Sequence, residues 1–342
     1  VRYSYSTANR AMTVTFEVVE APWTVPVVLD NFVWLPDEQW STELRARVPS
    51  FDGTAPKNAA EFLTRALQES LQARGLPGRV DFVPQIALGG DQSTYVFVVR
   101  DPSPTVCALQ VKRAAAIPEA TLVAPLKSLI GADYSRTLLM ATAHGTLTDM
   151  YRRKGFWRAR FDDPTATLGS CAGGVGVTLT VDEGAAYTWD RAEFSGNVSI
   201  GGDVLGKALG MKSGEIADFG KIDLGLRAVR SLYADKGYLA ERASFEPQLD
   251  DTSHRAVFAV SVSEGPQYRM GAVTVVGLRD SDAAAVTKKW HLKPGDVYDE
   301  SYETKFVRDE ILPLKTASGG HGNFDRDLDE RTQVVNVKIV FK

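Results

Sequence analysis

Val181-Asp182-Glu183-Gly184-Ala185-Ala186-Tyr187 returns 81 residues later as Val262-Ser263-Glu264-Gly265-Pro266-Gln267-Tyr268. Two more landmarks keep that offset. Phe194-Ser195-Gly196-Asn197 is followed by Val275-Val276-Gly277-Leu278, and Met211-Lys212-Ser213-Gly214-Glu215 by Leu292-Lys293-Pro294-Gly295-Asp296. Three landmarks at one spacing describe a tandem array. The period also runs backwards. Tyr151-Arg152-Arg153-Lys154-Gly155-Phe156 corresponds to Tyr233-Ala234-Asp235-Lys236-Gly237-Tyr238, and Gly75 precedes Gly155 by 80 residues. The expected boundaries are 22–102, 103–184, 185–265 and 266–342, with 1–21 as the terminal hairpin of a preceding partial unit.

Each unit carries the same order of local patterns. Alternating β-rich stretches such as Tyr187–Phe194 and Tyr268–Val275 open it. A short helix follows, closed by Lys-Ser-Gly or Lys-Pro-Gly. A longer helix shows apolar residues at three- and four-residue steps: Phe219, Ile222, Leu226, Val229 and Tyr233 in the third unit. Glycine ends that helix, because the position after a helix favours the left-handed conformation. Two strands finish the unit, Leu239–Phe245 with Ala256–Ser263 or Phe156–Asp162 with Gly176–Asp182. The expected fold class is α+β: tandem β-α-α-β-β repeats, each a three-stranded mixed sheet covered by two helices.

Composition excludes more than it names. The 342 residues are 44% hydrophobic and 24% charged, as in an ordinary globular chain, so disorder is excluded for most of it. A net charge of −4 argues against binding a phosphate backbone. No apolar run approaches the ~20 residues of a membrane helix. Four histidines are scattered over three units, which leaves no metal ligand set, and no Gly-x-Ser-x-Gly elbow or phosphate-cradling loop is present. Asp325–Glu330 begins like a calcium loop but has Glu330 and Asn336 where Gly and Glu are required. Cys107 and Cys171 are either two buried thiols or one disulfide on composition alone.

Strand, short helix, Lys-x-Gly-(Asp/Glu), long helix, Tyr-x-x-Lys-Gly-(Tyr/Phe), hairpin and Val-x-Glu-Gly together resemble the POTRA (polypeptide-transport-associated) domain. The third unit matches most fully, with Phe194–Asn197, Lys212, Gly214, Tyr233, Gly237, Tyr238, Val262 and Glu264-Gly265. The fourth lacks the Gly-aromatic step and has Pro313 followed by Gly319-Gly320-His321-Gly322; the first matches mostly by spacing, with Gly75-Leu76.

The resemblance implies a non-enzymatic periplasmic array, without cofactor or metal, facing or attached to the outer membrane. Such arrays dock unfolded or nascent outer-membrane polypeptides for assembly or translocation, with accessory lipoproteins as further partners. The repeats use up the whole chain, so either a β-barrel follows Lys342 or the array stands alone. In the second case the alternative is a structural scaffold or secretion-complex component that binds a fixed folded partner.

In the family the hairpin strand after the Gly-aromatic step is the exposed edge, to which a client adds a strand by β-augmentation. Carried over, the client-binding residues are Val80 and Phe82 in the first unit, Trp157, Ala159 and Phe161 in the second, and Leu239, Glu241 and Ala243 in the third. Pro84 is expected to interrupt pairing in the first. Trp157 and Phe161 alternate on one face and read more readily as core or inter-unit contacts than as client pockets. The family's parallel first and last strands would place Cys107 and Cys171 at the same end of the second sheet, where a disulfide suits an oxidising periplasm.

Overall fold

The computed structural model describes residues 2–8, 11–17, 24–56, 58–86, 93–171, 174–313 and 322–341. The chain forms two compact units, Val1–Leu147 with Arg160–Asp182, and Thr148–Ala159 with Glu183–Lys342.

Unit one opens with an antiparallel hairpin of β1 (Arg2–Ala8) and β2 (Ala11–Glu17). There follow β3 (Thr24–Leu29), α1 (Asp37–Arg47), β4 (Thr54–Pro56), α2 (Ala60–Ala73), β5 (Arg79–Ile86) and β6 (Ser93–Arg100). Their sheet runs β4-β3-β6-β5, with β3 parallel and β5 antiparallel to β6. The fourth strand, β4, departs from the expected three. Asp52 accepts hydrogen bonds from Thr54 N and Oγ1 at 2.9 and 2.6 Å, which turns the chain so that Thr54–Pro56 runs against β3. Pairing of β5 with β6 continues past Pro84 to Ile86, opposite Ser93. On an edge strand the nitrogen of a proline can face away from the ladder. Leu63, Leu67 and Leu71 of α2 share a core with Trp40, Leu44 and Phe97.

The second sheet of this unit contains β7 (Thr105–Lys112), β8 (Arg160–Phe161), β9 (Thr165–Cys171) and β10 (Gly174–Asp182), with β10 central and parallel to β7. The helices α3 (Glu119–Val123) and α4 (Arg136–Thr142) belong to the same unit. The expected hairpin strand is cut in two here, because Asp162-Asp163-Pro164 intervenes and proline cannot donate to the ladder. Cys107 and Cys171 are joined in a disulfide, with Cα atoms 6.3 Å apart. It crosses the first residue of β10, Gly174, where a Cβ would lie 2.9 Å from that of Cys107. Only glycine fits beneath the bridge.

Unit two begins with α5 (Thr148–Arg152) and continues with β11 (Thr188–Ser195), α6 (Gly202–Leu209), α7 (Phe219–Ala234), β12 (Arg242–Asp250) and β13 (Arg255–Ser263). The same order recurs in β14 (Arg269–Val276), α8 (Asp280–Lys289), α9 (Glu300–Phe306), β15 (Gly322–Asp329) and β16 (Val334–Phe341). Both sheets have three strands, β11-β13-β12 and β14-β16-β15, each with a parallel first strand and an antiparallel hairpin partner flanking the last strand. The α+β repeat read from the sequence is the fold.

Asp218 starts α7 by accepting hydrogen bonds from the Gly220 and Lys221 amides. Ile222, Val229 and Tyr233 then bury one face. At its end, Tyr238 N donates to Tyr233 O and Gly237 N to Ala234 O, the double closure of a helix whose next residue is left-handed. Phe156 and Gly155 close onto Tyr151 and Arg152 in the same way. The aromatic side chains meet across both closures, edge to face at 6.0 Å. That geometry is the physical content of Tyr-x-x-Lys-Gly-(Tyr/Phe).

Candidate functional site

A three-stranded sheet has two edges, and these sheets treat them differently. At the start of β11 the outer edge is already occupied. Trp189 N donates to Glu215 O at 2.7 Å, Gly214 N to Trp189 O at 2.8 Å and Ala217 N to Tyr187 O at 3.0 Å. The Lys-x-Gly-(Asp/Glu) motif shapes the covering loop: Glu215 folds its carboxylate back onto Lys212 N, as Asp296 does onto Lys293 N. Met270, Gly295, Asp296, Tyr268 and Tyr298 repeat the same three bonds on β14. In unit one Val106, Gly131, Ala132, Pro104 and Tyr134 repeat them on β7. The hairpin strands β5, β12 and β15 lie at the opposite edge of their sheets and pair on one side only among the described residues. The hairpin edges therefore lack the loop that covers the start of each first strand, and offer open backbone along their length.

The side chains nominated from the sequence on those edges turn out to serve other ends. Val80 is buried, and Phe82 packs edge to face on Tyr95 at 4.8 Å. Trp157 and Ala159 precede the strand, which begins only at Arg160, and Ala159 and Phe161 are buried. Leu239 and Glu241 also precede theirs, which runs from Arg242 to Asp250. Of the third unit's three, Ala243 alone sits in the edge strand, half-buried against the core. Any docking at these edges falls to the backbone.

Trp157 is a knob set into the following repeat. Its Nε1 donates to Ala217 O at 2.7 Å, and its ring contacts Phe219, Phe245 and Phe258. Gly155 O accepts from Tyr187 N at 2.9 Å. Leu239 occupies the same place one repeat later, packed on the core around Tyr268 and Tyr298, while Gly237 O accepts from Tyr268 N at 2.8 Å. The glycines that recur between repeats thus seat the next repeat as well as ending a helix.

The Val-x-Glu-Gly motif ties this joint from the other side. Tyr233 Oη donates to Glu264, and Ser199 donates to both of its carboxylate oxygens. Burial opposes the charge on Glu264, yet these hydrogen bonds hold its carboxyl below the usual carboxylate range. Tyr151 makes the equivalent bond to Glu183 at 2.9 Å. Glu241 has the reverse character. It is 4% exposed, its Oε1 has no hydrogen-bond partner, and burial raises its pKa against the pull of Arg230.

In the basic run Arg152, Arg153, Lys154, Arg158 and Arg160, ion pairs join Arg152 to Asp149, Arg158 to Asp251 and Arg160 to Asp182. The hairpin edge of the fourth repeat, β15, was passed over because the Gly-aromatic step is missing there; the alternation Phe324, Arg326, Leu328 marks it. Asp325–Asp329 lie in that strand, so they do not form a cation-binding loop. Gly319, Gly320 and His321 fall outside the described residues. Among the described residues no helix is long and apolar enough to cross a membrane.

Residues 187–265 match the family described as "POTRA: Surface antigen variable number repeat". A curated protein of Treponema pallidum (strain Nichols), named "Putative outer membrane protein assembly factor", is 30% identical over 136 residues, which cover 37% of this chain and 16% of that protein. The chain therefore spans a minor part of that relative's length. Among solved structures, POTRA3-5 of Haemophilus influenzae BamA has a TM-score of 0.47 at 16% identity, covering 70% of this chain and 96% of that one. POTRA1-3 of the periplasmic domain of Omp85 from Anabaena has a TM-score of 0.33 at 17% identity, with 70% and 95% covered.

Proposed function

We propose that this chain, a POTRA domain at residues 187–265 set among repeats of the same order, is a non-enzymatic periplasmic array that docks extended outer-membrane polypeptides during their assembly or translocation. One observation carries the reading: the first-strand edge of three sheets is covered at its start by the same three-bond loop, while the hairpin edges β12 and β15 carry no such loop among the described residues. Main-chain pairing along an edge supplies affinity without demanding a sequence, which suits clients that are unfolded and variable. The family match and the assembly-factor name of the Treponema relative support the client class.

A photo-reactive residue placed at Ser244 in β12 or Asp325 in β15 tests it, with Lys212 on the covering loop as control. An outer-membrane barrel polypeptide held unfolded in dilute urea is expected to crosslink at the first two positions and not the third. Equal crosslinking at all three, or crosslinking only by the folded barrel, would overturn the reading in favour of a scaffold.

A further inference from the structure

The hairpin edges are not equivalent, and the difference lies in their prolines and charges. Pro84 interrupts the donors of β5, Pro164 separates β8 from β9, and Pro247 stands inside β12. A proline on an edge strand removes a donor and sets a ring where an added strand would lie. Among the described hairpin edges longer than two residues, β15 and β9 contain no proline; β9 bends at Gly169, whose φ is 75°, and its pairing with β10 shifts register. β15 pairs without a shift over all eight residues, from Gly322 opposite Phe341 to Asp329 opposite Val334. It is the longest unguarded template on the described chain.

Its two faces specify what fits. Phe324 packs toward the core beside α9, Arg326 bonds Glu303 and Glu300 on that helix, and Leu328 on the same face is 40% exposed. The other face presents Asn323, Asp325 and Asp327, all exposed. Asp325 and Asp327 have no ion pair among the described residues, whereas Asp329 is spent on the turn, accepting from Arg331 N and Thr332 N. Lys338 stands opposite Asp325 but one strand inward, so the column nearest the edge is acidic.

Resting on the docking reading above, we infer that β15 is the selective edge, and that its occupant is an extended amphipathic segment of another polypeptide. That segment carries basic residues at alternate positions to face Asp325 and Asp327, and apolar ones between them to lie beside Phe324 and Leu328. Opposite charges directly across a ladder attract and like charges repel, so the two aspartates discriminate by sign.

Two end-capped peptides, one alternating Lys and Val and the other Glu and Val, are titrated into the intact chain by fluorescence anisotropy. The Lys–Val peptide is expected to bind about tenfold more tightly at low salt, with the gap closing near about 0.5 M salt. Asp325→Lys with Asp327→Lys should invert the preference. The gentler Asp325→Asn with Asp327→Asn should abolish it while leaving the thermal melt unchanged, and Ser244→Pro in β12 should leave it intact. Equal affinity for both peptides, no binding of the Lys–Val peptide, or a preference surviving in the Asn variant would overturn the inference. If unfolded barrel polypeptide still crosslinks at Ser244 or Asp325 in that event, docking stands without charge selection; if it does not, docking falls too.

Discussion

Glu241 is a carboxyl without a hydrogen bond to its Oε1 at the mouth of β12, and its environment fixes a pH signature. Burial raises its pKa in the folded chain, so the folded state holds its proton more tightly than the unfolded state does. The penalty for ionising it is absent below the unfolded value, near about 4.3, and becomes complete as pH rises through the raised folded value. Glu241→Gln is therefore expected to melt higher than the parent at neutral pH, with the gap closing toward pH ~4 in a thermal-melt series. A gap constant with pH would show that the side chain is paired in solution. At this scale the sequence marked Trp157 and Phe161 as packing residues but placed Trp157 and Ala159 in a strand that begins only at Arg160. Their period of two is that of a strand, yet Trp157 sits in a turn whose burial comes from Phe219, Phe245 and Phe258, far along the chain. Local alternation carries no record of a socket that distant.

Helix ends and turns were the legible elements, because a left-handed residue needs glycine whatever surrounds it. Gly155 and Gly214 have almost the same backbone angle, φ of 84° and 89°. Their surroundings differ: a Cβ on Gly155 would lie 2.8 Å from Tyr187 O, while one on Gly214 meets nothing within 4 Å. Gly214→Ala should cost about 1 kcal/mol, the conformational penalty alone, and Gly155→Ala at least about 2 kcal/mol more, since the backbone of Tyr187 cannot yield as a side chain would. Urea unfolding of the two variants checks this, and equal losses would refute the close approach. The edge-closing bonds made by the loop around Gly214 left no trace in the motif itself. Lys-x-Gly-Glu announces a turn, but not that Trp189, some 25 residues earlier, supplies its partners.

Across the whole molecule, the 81-residue period made the repeats countable, whereas the compact units fall on different boundaries, with Thr148–Ala159 grouped with Glu183–Lys342. The Cys107–Cys171 bridge spans a sequence separation of 64 residues in the other unit. A loop of that length is worth about 4 kcal/mol in the chain-entropy account. Reduction, or replacement of both cysteines by alanine, should lower the melting temperature and raise amide exchange in β7, β9 and β10 while β11 to β16 keep their protection. Intact mass before and after alkylation reports whether the bridge is formed in the purified chain. Uniform loss of protection would mean that the bridge supports more than its own sheet.

The knob and its socket set the rule for editing this array. Trp157 precedes the repeat that receives it, just as Leu239 precedes the repeat around Tyr268 and Tyr298. A truncation made at the tidy sequence boundary of 184/185 keeps the socket and discards its plug, leaving Ala217 O and three aromatic rings open to water. A cut placed before Thr148 keeps both, but parts β10 from β7 and Cys171 from Cys107. Neighbouring repeats are therefore interleaved along the chain, and a graft, swap or deletion respects the fold only when plug and socket travel together with the strands that lie between them.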